Sequence, residues 1–204
     1  MTNPQPSDSS VVSYLTLRKV VGVLGVALPI VVAVWGFTIC GCFEPSISDY
    51  YSLRTRDAFV GILFTIGWFL FTYHGYDRRD NIAGNIACIF ALGVALFPNS
   101  GTPLQSHVHF ASAVGLFLVL AYFSLVLFVK SSGNPTPQKL MRNRVYRACG
   151  VIMLVCIALI GLCYTVLSTP SFLSAKPVFW LESLALWAFG FSWFVKGEAI
   201  LKDR

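Results

Sequence analysis

One carboxylate in the last apolar run, Glu182, and two histidines spaced as His107-Val108-His109 are the side chains best suited to chemistry. A polar loop over 44–57 adds Ser48, Asp49, Asp57, Arg54 and Arg56. A histidine or carboxylate within hydrogen-bond reach of a reacting group can act as a general base. Arginine presents a planar fork that fits a phosphate or carboxylate. The HxH pair with a carboxylate also suggests zinc, but residues two apart in a regular helix point to separate faces. Both rings reach one ion only if His107 lies outside the helix, and no HxxxH or HExxH supports them, so no metal is expected. Asp57, just before Ala58-Phe59-Val60, has the position of a helix N-cap.

The chain has no GxSxG elbow and no reactive-cysteine signature. It also lacks GxGxxG and GxxxxGK[ST], so no nucleotide or other cofactor is expected. Three uses of the polar group stay open, the third being a small proton-coupled transporter that uses Glu182. A catalytic use rests on Asp49, His109 and Glu182; a ligand-binding use takes Ser48, Asp49, Arg54, Arg56, Asp57, His107, His109 and Glu182.

Composition says what must position these groups. The 204 residues are 56% hydrophobic and 12% charged, with a mean hydropathy of +0.70, too apolar for one water-soluble core. Uncharged runs of this length read as helices, because backbone groups in lipid must be satisfied within the segment. The expectation is an all-α polytopic membrane bundle of six transmembrane helices. The spans fall at about 20–40, 57–74, 81–98, 107–130, 147–168 and 177–196, with polar tails at 1–19 and 199–204.

Charge orients the bundle. Arg18, Lys19, Arg78, Arg79, Lys130, Lys139, Arg142, Arg144, Arg147, Lys196, Lys202 and Arg204 fall on one side, while the other has Arg54, Arg56 and Lys176. By the positive-inside rule the richer side and both termini are cytoplasmic. The net charge of +6 is then a topology signal, and no nucleic-acid partner is expected.

The outer loop and the starts of the second, fourth and sixth spans share one side, where helix N-termini favour anions. With the sixth helix starting at Pro177, Glu182 lies ~7.5 Å along the axis at ~1.5 Å per residue, below the headgroups. It is either a functional carboxylate or a structural one, protonated or paired with Arg54 or Arg56. On the inner side, His74 to Asn81 reads as a turn with Asp80 or Asn81 capping the third helix, with Asn85 one turn deeper reaching across helices. Lys196 reads as an interfacial anchor. Ala83, Ala87, Ala91 and Ala95 place the third helix centrally, Pro29 predicts a kink in the first, and the bulky fourth span faces lipid. Cys40, Cys42 and Cys163 lie near one surface, where a disulfide among them is open.

Pro45-Ser46-Ile47-Ser48-Asp49-Tyr50, after a first span, resembles the P-x-I-S-D/A signature of a six-helix membrane family. That family includes DRAM-type autophagy modulators and proteins acting in GPI-lipid remodelling. The run HFASAVGLF from His109 resembles the family's histidine followed by small and aromatic residues, and the layout is similar to that of its bacterial members. The resemblance implies six helices, an outer first loop with an Ile-Ser-Asp turn, and a link to membrane lipids as partners. It marks Ser48, Asp49 and His109 as motif positions without chemical roles. Tyr50-Tyr51 and the lack of a proline soon after depart from the pattern.

Overall fold

The structure is a computed structural model of the chain and describes residues 13–75, 77–131, 133–165 and 174–202. Among these residues there are six α-helices and no strand: α1 Tyr14–Cys40, α2 Arg56–Phe71, α3 Arg78–Leu96, α4 Pro103–Tyr122, α5 Pro137–Thr165 and α6 Pro177–Lys196. A short 3-10 helix, Ser48–Ser52, lies in the first loop, and a π-helical turn, Phe123–Leu127, extends α4. Helices α1, α3, α4 with its π-turn, α5 and α6 are long and apolar enough to cross a membrane. The fold is a helical membrane bundle. Helix α2 has 16 residues, or ~24 Å at ~1.5 Å per residue, short of the ~30 Å hydrocarbon core.

Local signals set the ends. Ser13 caps α1 by accepting from the Thr16 amide at 3.2 Å, so the helix begins one to two turns before the apolar run expected from residue 20. It runs on through Pro29 and stops at Gly41, whose φ of 64° is left-handed. Pro103 at the first turn and a Thr102–Gln105 capping box start α4. Capping of α3 falls to Asp77 rather than to Asp80 or Asn81. Asp77 accepts from the amides of Arg79 and Asp80, while the Asp80 side chain accepts from the Asp77 amide. Lys130 then clamps both carboxylates, at 2.9 and 3.3 Å.

Successive helices pack side by side, and α6 closes the ring against α1. Small residues permit the close contacts, as expected where lipid removes the usual hydrophobic drive between helices. A Cβ on Gly190 would stand 2.6 Å from the Gly22 carbonyl oxygen, and one on Gly84 would stand 2.3 Å from that of Leu70. Ala83, Ala87, Ala91 and Ala95 are buried against neighbours. The most enclosed helix is nevertheless α6, with 61% of its apolar window buried against 44% for α3, and α5, at 28%, is the most lipid-facing. Gly190, Ala185 and Ala188 admit that enclosure.

One open point is resolved and two further expectations change. Cys40 pairs with Cys42, leaving Cys163 buried and free. Asn85 is exposed rather than turned toward a neighbouring helix. Lys196 is buried and sits 5.2 Å from the Phe128 ring centroid, where a cation is held by the ring face.

Candidate functional site

The loop between α1 and α2 folds around Ser46 and Asp49. The Asp49 amide donates to Ser46 Oγ at 3.1 Å, and that hydroxyl donates to Asp49 Oδ2 at 2.8 Å. This reciprocal turn starts the 3-10 helix. Three other segments then hold it. Asn99, between α3 and α4, donates to Asp49 Oδ1 at 2.6 Å. The Phe179 amide, free at the start of α6, donates to the Pro45 carbonyl at 2.9 Å. Glu182, one turn further along α6, accepts from the Ile47 amide at 2.6 Å.

Helix α4 supplies His109, which is completely buried. Its Nδ1 lies 2.7 Å from the Phe97 carbonyl oxygen and its Nε2 lies 2.9 Å from Ser48 Oγ. A carbonyl can only accept, so Nδ1 carries the proton; in the neutral ring Nε2 accepts from the Ser48 hydroxyl. Nucleophile, base and orienting acceptor therefore stand in line. Ser48 and Glu182 are the polar members of a cavity of about 40 Å³, otherwise walled by Leu28, Leu63, Leu116 and other apolar side chains. That volume exceeds the ~10–15 Å³ one water requires.

Tyr50 closes the turn from the other side. It is fully buried, and its hydroxyl accepts from the Glu44 amide at 3.2 Å. Burial holds its phenol above the usual range.

Ser48, Asp49, His109 and Glu182 thus meet around one turn, and the other expected members do not join them. His107 is exposed, as the two-residue spacing on a helix requires. Among the described residues no group of three metal-binding side chains forms. Asp57 is not the N-cap of α2: Thr55 holds that position, with its hydroxyl donated to the Tyr50 carbonyl, and Asp57 is exposed in the first turn. There its charge favours the positive helix end. Glu182 takes a backbone amide in place of an arginine. Arg56 lies 4.7 Å from the Tyr51 ring centroid and donates to its hydroxyl at 3.1 Å. That hydroxyl donates in turn to the Leu96 carbonyl.

Arg54 is exposed and stands on the rim of a separate groove of about 360 Å³. Gly36, Ile39 and Cys40 of α1 and Leu53 and Thr55 of the loop line it. Among the described residues, neither Arg54 nor Arg56 has a carboxylate within ion-pair distance. Sequence reasoning puts Asn99, Tyr50 and Tyr51 on this side of the bundle but assigns them no part in holding the turn. A buried aromatic or amide in a loop has no periodicity to mark it, although Pro98-Asn99-Ser100-Gly101 reads as a turn.

No family model, no curated protein and no solved structure matches the chain.

Proposed function

We propose that this is a six-span integral protein of the bacterial inner membrane, of the DRAM-type family, with both termini cytoplasmic, that holds a lipid headgroup at the outer leaflet. The groove beside Arg54 carries this reading. It combines an apolar wall at the end of α1 with an exposed guanidinium that has no carboxylate partner among the described residues. An arginine in that setting takes a phosphate or carboxylate by a charge-assisted fork. The turn locked by Ser48, Asp49, His109 and Glu182 fixes the loop that carries Arg54. A sixth span through α2 requires only local thinning of the bilayer, at a fraction of a kcal/mol per ~1 Å of mismatch. The Cys40–Cys42 disulfide supports an outer position for the loop, since such bonds persist on the oxidising side.

Native mass spectrometry of the protein extracted in mild detergent tests the reading. Phospholipid is expected to stay bound to the unchanged chain and to be lost from Arg54→Glu. Equal retention by both contradicts it.

The Ser48–His109 distance of 2.9 Å favours a second reading, an intramembrane lipid hydrolase or acyltransferase with Ser48 as nucleophile and His109 as base. Glu182 weighs against it, because its carboxylate occupies the Ile47 amide, a donor that an oxyanion would need. Labelling by a fluorophosphonate that disappears in Ser48→Ala would establish it; no labelling of the unchanged protein would remove it.

A further inference from the structure

The six cysteines divide by environment. Cys88, Cys149, Cys156 and Cys163 are free and buried within helices. Cys40 and Cys42 are joined to each other at the outer end of α1, where Cys40 is exposed and Cys42 partly so. A bond between residues this close closes a very short loop, and the stabilisation a disulfide gives by restricting the unfolded chain shrinks with loop length. It joins no two elements that the backbone does not already join. The residue between them, Gly41, is left-handed with a φ of 64°, and nothing lies within 4 Å of where its Cβ would stand. The bridge is therefore open on that side. Cys40 also shares the outer groove with Arg54, and a nearby cation favours thiolate over thiol.

We propose that Cys40-Gly41-Cys42 is a thiol–disulfide exchange site that accepts two electrons from a dithiol of a partner polypeptide on the outer face. A partner thiolate attacks Sγ of Cys40, the residue of the pair with the greater overall exposure. A mixed disulfide forms, the Cys40–Cys42 bond breaks, and Cys42 leaves as a thiolate that takes up a proton. The second partner thiolate attacks the mixed disulfide, forms the partner's own disulfide and releases Cys40, which is protonated in turn. Two electrons and two protons pass from partner to chain, and no other reactant is needed. The inference goes beyond lipid binding and does not depend on it.

The full-length protein in detergent tests this directly. It is equilibrated folded with glutathione mixtures, or with a reduced peptide carrying a Cys-x-x-Cys pair, then acid-quenched, unfolded and labelled with a polyethylene-glycol maleimide. Labelling is expected to rise from the four buried thiols to all six in one step as reduced glutathione increases, and the peptide is expected to become oxidised. Four labels throughout, rising only when the protein is unfolded beforehand, would make the bond structural and overturn the proposal. Six labels at every ratio would overturn it as well. In Cys42→Ser, Cys40 is expected to trap a glutathione adduct visible by intact mass, and absence of that adduct contradicts attack at Cys40. The Cys40→Ser/Cys42→Ser chain is expected to keep its thermal midpoint; a large drop would again mean a structural bond.

Discussion

His109 Nε2 lies 2.9 Å from Ser48 Oγ across 61 residues of chain, joining the interior of α4 to the first loop. Because Nδ1 donates to Phe97, one ring satisfies two groups that are otherwise cut off from water. Replacing His109 with alanine strands both. Each unsatisfied group costs about 1–3 kcal/mol, so a loss of about 2–6 kcal/mol is expected. Ser48→Ala, which leaves only His109 Nε2 unpaired, is expected to cost about 1–3 kcal/mol. Thermal unfolding in detergent measures both; equal effects would mean the ring is not the shared anchor.

Glu182 is held by what it accepts. Glu182→Gln keeps an oxygen for the Ile47 amide, so a change below about 1 kcal/mol is expected, whereas Glu182→Leu leaves that donor unpaired at about 1–3 kcal/mol. Amide hydrogen exchange at Ile47 is expected to accelerate in the leucine variant and to stay close to the unchanged chain in the glutamine variant.

Close helix contacts give a third expectation. Gly84→Ala drives a Cβ into the Leu70 carbonyl and Gly190→Ala into that of Gly22; overpacking of this kind costs about 1–3 kcal/mol. Gly61 lies in α2 with nothing within 4 Å of a new Cβ, so Gly61→Ala is expected to gain up to about 1 kcal/mol from helix propensity. Melting midpoints should separate the two classes in opposite directions.

The ordering of these sites marks how far the sequence could be read. Apolar runs carry the number of helices, because their length follows from the bilayer alone. Helix α6 begins at Pro177 because proline favours a first helical turn. Legibility ends where long-range geometry takes over. Asp57 has the composition of a cap, yet Tyr50 and Thr55 fix the loop so that the helix begins two residues earlier, at Arg56. Charge complementarity suggested an arginine for Glu182, but the free amide of Ile47 is nearer. Alanine spacing pointed to α3 as the centre, whereas contact with both α1 and α5 encloses α6.

In the turn before α3, the Lys130 ammonium bonded to Asp77 holds that carboxyl well below the usual carboxylate range, and the Asp80 and Arg79 groups act in the same direction. A depressed folded pKa stabilises the fold above the unfolded value of ~3.9 and loses that contribution as pH falls through the folded value. The difference in melting midpoint between the unchanged chain and Asp77→Asn is therefore expected to be constant from neutral pH down to about pH 5 and to shrink below ~3.9. A difference that grows in acid would contradict the clamp.

Lipid at the Arg54 groove is tested most directly by a photoreactive residue placed at Leu53, on the groove wall, followed by mass analysis of what it captures in native membranes. We expect a phospholipid adduct in the otherwise unchanged chain and its loss when Arg54→Glu is added. Capture that is indifferent to Arg54, or that yields no lipid, would contradict a headgroup site there.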